Sequence, residues 1–137
     1  MPSVVQFAAR RAQPSPHRGK TIVIVDDSAD LLDVTAMLLE EEGYAVLTAL
    51  SGEEGLRLAL QHQVDLVLLD YAMPRMTGAE VARCLREQDP DGAVKIVMNT
   101  ATPEWQVQRD FSGYDEFLSK PLRPGELVGT VAALLQN

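Results

Sequence analysis

Acidic, hydroxyl and ammonium side chains directly follow the most apolar short runs of this 137-residue sequence. They are Asp26 and Asp27 after residues 21–25, Asp70 after 66–69, Thr100 after 95–99, and Lys120 after 116–119. Three carboxylates in one place would repel one another, and a divalent cation would neutralise them. Hard oxygen ligands favour Mg²⁺ or Ca²⁺, and Mg²⁺ is the usual companion of phosphate. Asp70 could then act as a nucleophile toward a phosphoryl group, while Lys120 and Thr100 bind its oxygens.

The elements that must position these side chains are short strands separated by helical patterns. Apolar runs of four to five residues such as 21–25 and 66–69 are typical of parallel strands buried on both faces. The carboxyl ends of such strands form one crevice, where ligands bind. Strand and helix alternate five times, which predicts an α/β fold with a doubly wound parallel sheet.

The helical segments show apolar stripes and capping signals. Predicted inward residues are Leu31, Val34, Thr35 and Leu38 in the first helix; Leu56, Ala59 and Leu60 in the second; Gly78, Val81, Ala82 and Leu85 in the third; and Leu127, Val131, Leu134 and Leu135 in the last. Capping boxes are predicted at 51–54 and 77–80, and Thr102 is predicted as the N-cap of a fourth helix. Gly43 is predicted to end the first helix, and Gly129 indicates close packing or a softer last helix.

Composition limits the classes of function. Residues 1–20 carry four basic residues and no acid, so the other 117 residues hold 8 basic against 20 acidic side chains. Such a body is not expected to bind nucleic acid. Residues 1–19 are predicted to be a disordered basic arm, and residues 20–137 to form one domain. Without a membrane-spanning run or a secretion signal, a cytoplasmic protein is expected; the single cysteine, Cys84, is predicted to be buried and structural.

Each polar residue also has a simpler explanation when it is taken alone. Asp26 or Asp27 could cap a helix, Asp70 could be a loop acid, and Thr100 could be a cap residue. Lys120 could stand in a surface turn with Pro121. Their joint placement at four strand ends favours a common site over four separate coincidences.

The motifs of this site resemble the receiver domain of bacterial two-component response regulators. They are Asp26-Asp27 after a strand, the stretch Asp70-Tyr-Ala-Met-Pro-Arg-Met-Thr-Gly78, Thr100-Ala101 and Lys120-Pro121. The resemblance covers about residues 20–137, and the stretch 70–78 is the most specific part. It implies a flavodoxin-like, chemotaxis-regulator-like fold with strand order 2-1-3-4-5.

The resemblance also implies a function. Asp70 would be phosphorylated by a sensor histidine kinase or a histidine phosphotransfer protein, and the change would act on a downstream protein target or an output domain. Asp27, Asp70 and the carbonyl of Ala72 would bind Mg²⁺ directly, with help from Asp26. Thr100 and Lys120 would contact the phosphoryl group, Phe117 would be the switch aromatic, and the Lys120-Pro121 bond would be cis.

One segment departs from the family pattern. Between Thr100 and Gly113 the chain is about two residues shorter than usual, with Trp105 and Phe111 where small residues are common. We therefore expect a fourth helix of about two turns between Pro103 and Asp110, with Trp105 or Phe111 beside Phe117. The partner surface built on this helix would be reshaped.

Other functions fit the sequence less well. Within the family, the chain is expected to be a stand-alone receiver; the alternative is a receiver taken from a larger regulator or hybrid kinase. A phosphohydrolase resembling haloacid dehalogenases would need a second acid two residues after the nucleophile, where this sequence has Ala72. A flavodoxin would need a phosphate-binding loop after the first strand, where Asp26 and Asp27 would repel the phosphate. The chain is accordingly predicted not to be an enzyme beyond its own phosphorylation and dephosphorylation.

Overall fold

The computed structural model describes residues 19–136, which form five parallel strands and five helices in strict alternation. The strands are β1 (Thr21–Val25), β2 (Ala45–Ala49), β3 (Leu66–Leu69), β4 (Lys95–Thr100) and β5 (Glu116–Ser119). The helices are α1 (Ala29–Glu41), α2 (Gly52–Gln61), α3 (Gly78–Gln88), α4 (Glu104–Asp110) and α5 (Pro124–Leu135). The sheet order is β2-β1-β3-β4-β5, so the predicted fold and strand order are confirmed. The predicted arm lies almost wholly outside the described residues.

Two apolar layers cover the sheet. The layer on the side of α2, α3 and α4 includes Val23, Val25, Leu69 and Met98. The layer on the side of α1 and α5 includes Ile22, Ile24, Leu68 and Val97. Residues of each strand alternate between the layers, because successive side chains of a strand point to opposite faces. This alternation decides which face each residue at the end of a strand occupies.

The buried face of α1 lies one position later in the sequence than the predicted face. Its buried residues are Leu32, Thr35, Ala36, Leu39 and Glu40, whereas Val34 is 48% exposed. The helix is apolar on nearly all sides, so several stripes fit its sequence equally well and periodicity does not select one. Ser28 caps the helix and Gly43, with φ 100°, follows it, as predicted for Gly43.

The prediction for the inward face of α2 was also partly wrong. Leu58 is buried there and Leu60 is 51% exposed. The helix faces the sheet through small residues: a Cβ at Gly55 would lie less than 3.0 Å from the side chain of Val25. Ser51 accepts the N–H of Glu54, but the Glu54 carboxylate accepts from Leu50, so the predicted capping box is only half formed.

The third and last helices follow the predicted pattern with two exceptions. The capping box of Thr77 and Glu80 is complete, and Val81, Ala82 and Leu85 are buried. Cys84, predicted buried, is only partly buried because it lies at the margin of this face. In α5, Gly129 is exposed and a Cβ there would meet nothing within 4 Å, so close packing does not explain this glycine.

The short fourth helix is confirmed, but its surroundings differ from the prediction. The helix has seven residues, and its N-cap is Pro103 rather than Thr102. Trp105 or Phe111 was expected to cover the gap beside Phe117, but Trp105 is 60% exposed. Instead, the ring of Tyr114 lies 5.9 Å from that of Phe117. Phe111 is half-buried against the same apolar layer as Phe117.

Candidate phosphoacceptor and metal site

The predicted polar residues meet at the carboxyl edge of the sheet. Asp26 and Asp70 directly follow β1 and β3, and their backbone N–H groups continue the sheet by donating to Ala49 and Val25. Asp26 and Asp70 are 4% and 6% exposed, whereas Asp27 is exposed. One carboxylate oxygen from each of the three acids lies within 4.8 Å of the others. The predicted acidic cluster is therefore present.

Lys120 joins the two buried acids. Its Nζ lies 2.7 Å from Asp26 Oδ2 and 2.9 Å from Asp70 Oδ2. Burial alone would lower the pKa of Lys120, but the hydrogen bonds and charges of both carboxylates outweigh it, and the pKa is raised. The ammonium thus stays charged, and it compensates part of the repulsion between the two carboxylates.

The other carboxylate oxygens of the cluster differ in the hydrogen bonds that they accept. Asp26 Oδ1 accepts the N–H of Ser28 at 2.9 Å, and Asp70 Oδ1 accepts a longer bond from Ala72 at 3.2 Å. The carboxylate of Asp27 has no hydrogen bond or ion pair within residues 19–136. Three hard carboxylate oxygens, one of them unoccupied and solvent-exposed, suit an oxygen-seeking cation that keeps several waters, such as Mg²⁺. The residues therefore fit this metal.

Thr100 and Phe117 lie at the same edge of the sheet but on its opposite face, which α2, α3 and α4 cover. Thr100 is 1% exposed, and its Oγ1 accepts the N–H of Thr102 at 3.3 Å rather than contacting an acid or Lys120. Its carbonyl accepts the N–H of Lys120 at 3.0 Å, which fixes the start of the lysine segment. Phe117 is half-buried against the α2–α4 layer. The Lys120-Pro121 bond is cis, as predicted.

The loop after Asp70 packs tightly against the start of α3. A Cβ at Gly78 would approach the carbonyl oxygen of Asp70 and the Cα of Tyr71 to less than 3.0 Å. The N–H of Gly78 donates to the Tyr71 carbonyl at 2.9 Å, closing the loop. Only glycine fits here, and the loop that carries Asp70 and Ala72 is held against the helix as a result.

One buried polar residue of the site was missed at the sequence level. Asn99 is 7% exposed and its Oδ1 has no hydrogen-bond partner among the described residues. The available signal was an amide directly after the apolar run 96–98, where the strand continues to Thr100. It was overlooked because it directly precedes Thr100.

No helix among the described residues has the length and apolar character needed to cross a membrane.

The chain matches the model of the response regulator receiver domain over residues 22–132. It is 36% identical over 121 residues to the phosphate regulon regulatory protein PhoB of Pseudomonas aeruginosa, covering 87% of this chain and 53% of that protein. It is 40% identical over 118 residues to the transcriptional regulatory protein ResD of Bacillus subtilis, covering 85% and 48%. The chain spans about half the length of these relatives.

A solved structure gives the same result. The response regulator TrrA of Thermotoga maritima, determined in complex with Mg²⁺ and BeF, superimposes with a TM-score of 0.78 at 35% identity, covering 85% of this chain and 99% of that one. The acidic edge described above thus belongs to a fold whose topology and sequence both match this family, and the chain is a response regulator receiver domain of two-component signalling systems.

Proposed function

We propose that Asp70 accepts a phosphoryl group in a Mg²⁺-dependent reaction and that this change controls contacts with another protein. Receiver domains are signalling domains rather than classical enzymes, and they interact with histidine kinases and output domains. For this chain, the donor is a histidine kinase or a histidine phosphotransfer protein. The observation that carries the proposal is that Lys120 Nζ lies within hydrogen-bond distance of both Asp26 Oδ2 and Asp70 Oδ2, beside the exposed Asp27.

The residues divide the chemistry among them. A carboxylate oxygen of Asp70 attacks the phosphorus, and the bond from phosphorus to the donor nitrogen or oxygen breaks, leaving an aspartyl phosphate. Asp27, Asp70 and the Ala72 carbonyl, with help from Asp26, would hold Mg²⁺, which would supply positive charge for the phosphoryl oxygens. Lys120 turns from the Asp70 carboxylate to a phosphoryl oxygen, and the Thr100 hydroxyl leaves Thr102 to donate to another.

The output is a protein contact. Thr100 is the last residue of β4, and a short segment connects it to α4. A movement of Thr100 would therefore be transmitted to that helix. Phe117 is the proposed switch aromatic on the neighbouring strand. The target is a separate protein or an output domain. Nucleic acid is not a partner of this acidic body, and a cytoplasmic location stays a prediction.

Incubation of the full chain with acetyl phosphate and Mg²⁺, followed by intact mass, tests the assignment. We expect addition of one phosphoryl group, lost in Asp70→Asn and in excess chelator. Asp91→Asn is the matched control, because Asp91 is an exposed turn acid whose side chain makes no hydrogen bond or ion pair among the described residues. Undiminished labelling of Asp70→Asn would show that another residue is the acceptor.

A further inference from the structure

Asn99 is a buried amide at the edge of the proposed phosphoacceptor site. It is the fifth residue of β4, 7% exposed, between Met98 and Thr100. Its Oδ1 is fully enclosed and accepts no hydrogen bond from any residue in the described part of the chain. A buried carbonyl oxygen without a donor costs free energy, so its presence calls for an explanation.

The sheet register places this amide beside the phosphoacceptor. Leu69 of β3 pairs with Met98 of β4, so the next residues along the two strands, Asp70 and Asn99, lie side by side. Asn99 itself pairs with Leu118 of β5. Because side chains alternate along a strand, Asn99 lies on the same face as Val97, the face covered by α1 and α5.

The buried acids occupy that same face. Ile24 and Leu68 belong to the α1–α5 layer, and Asp26 and Asp70 each follow two residues later. Lys120 likewise follows two residues after Leu118 of this layer. Two acids, one ammonium and one amide therefore share one face at one edge of the sheet.

The side chain of Lys120 spans the end of β4. Lys120 follows β5, whereas its Nζ reaches Asp70 after β3 and Asp26 after β1. Because β4 lies between β5 and β3 in the sheet, the lysine side chain must pass over the end of β4. On the face that Lys120 shares with the acids, the last side chain of β4 is Asn99.

We propose that Asn99 is a positioning residue for Lys120 during phosphoryl transfer. An ammonium carries three N–H donors, and two of them are directed at Asp26 and Asp70. When Lys120 turns from the Asp70 carboxylate to the phosphoryl group, the unpartnered Oδ1 of Asn99 would accept the third N–H and hold the ammonium over the site. The inference rests on the proposed function and adds a residue to the same site.

Asn99→Leu tests the role, because leucine keeps the branched shape and removes the acceptor. With acetyl phosphate and Mg²⁺ we expect the labelling rate of the full chain to fall roughly tenfold, as for loss of one hydrogen bond to a charged group. The thermal midpoint should stay the same or rise, since an unpaired buried amide is removed. The half-saturating Mg²⁺ concentration should not change, because no metal ligand is altered. Thr35→Val, which removes a buried hydroxyl from α1 away from this edge, should label at the original rate.

Two further variants separate positioning from packing. Asn99→Ser, which restores an oxygen acceptor, should recover part of the rate. In a Lys120→Met background, Asn99→Leu should cause no further loss, because the two residues act as one unit.

Labelling of Asn99→Leu at the original rate, an added loss in the Lys120→Met background, or a shift in the Mg²⁺ requirement would overturn the inference. In each case labelling of the unchanged protein on Asp70 would leave the proposed function standing. If the unchanged protein is not labelled at all, both proposals are wrong.

Discussion

Gly78 leaves no room for a side chain beside the loop that carries Asp70. We expect Gly78→Ala to lower the free energy of unfolding by about 2 kcal/mol, since the new Cβ would press on the backbone of Asp70 and Tyr71. Urea unfolding measures the loss, and acetyl phosphate labelling should slow because the Asp70 loop is displaced.

Gly129→Ala is the matched change in open space. It should raise the free energy of unfolding by roughly 0.5–1 kcal/mol, because alanine is the better helix former and meets no neighbour. Equal destabilisation by both substitutions would contradict the assigned contacts at Gly78.

At the scale of elements, α4 is held at its end by side chains from other segments. Asp110 Oδ2 accepts the hydroxyl of Tyr71 at 2.9 Å, and Arg83 donates to both Asp110 Oδ1 and its carbonyl, at 3.2 and 2.8 Å. Tyr71 directly follows Asp70, so the proposed phosphoacceptor loop and the end of α4 are joined by one carboxylate.

We expect Asp110→Ala to loosen α4 more than it lowers global stability. A seven-residue helix is too short to persist without tertiary contacts. Amide hydrogen exchange of residues 104–110 should accelerate several-fold, while the thermal midpoint falls by only a few degrees. Glu87→Ala, at an exposed acid of α3, is the control; equal exchange in both variants would show that the anchor is not needed.

The sequence was sufficient for the strands and the acidic edge but not for the faces of the helices. Val25 and Leu69 belong to short apolar runs that are typical of buried strands, so the positions of Asp26 and Asp70 at the strand ends followed directly. The orientation of α1 could not be predicted from the sequence, because the helix carries apolar residues on nearly all sides. Tertiary packing buries Leu32 and leaves Val34 exposed. Tyr114 packs against Phe117 in the place expected for a residue such as Trp105. The sequence did not reveal this ring contact, so the exposure of Trp105 was not predicted.

The whole molecule should lose stability in strong alkali. Burial and then the charge of Glu42 raise the pKa of Tyr44 from 10.0 to about 12, whereas an unfolded tyrosine titrates near 10. The protonated form is thus favoured by folding: its contribution is complete below about pH 10 and is lost as pH rises toward about 12.

Tyr44→Phe isolates this contribution. Between about pH 9 and about pH 11.5 the free energy of unfolding should fall less in the variant, by on the order of 2 kcal/mol. Lys120, whose pKa is also raised, titrates in both proteins and cancels in the comparison. Parallel pH curves for the two proteins would contradict this account of Tyr44.

Residues 1–18 are expected to be dispensable for the fold. Pro2, Pro14 and Pro16 interrupt a segment without an apolar face, so it has little to bury. Their removal should leave the thermal midpoint within about 2 °C and the labelling rate unchanged. A larger loss in calorimetry would mean that Val4, Val5 or Phe7 packs on the body.

The exposed indole on α4 makes the protein its own optical reporter. Trp105 is the only tryptophan of the chain, and the guanidinium of Arg109 lies 5.8 Å from its ring centroid. Fluorescence excited at the red edge of protein absorption therefore originates from a single water-exposed group on the fourth helix. A partner that covers this helix will shift the emission to shorter wavelength and shield it from acrylamide, whereas a partner seated elsewhere will leave both unchanged.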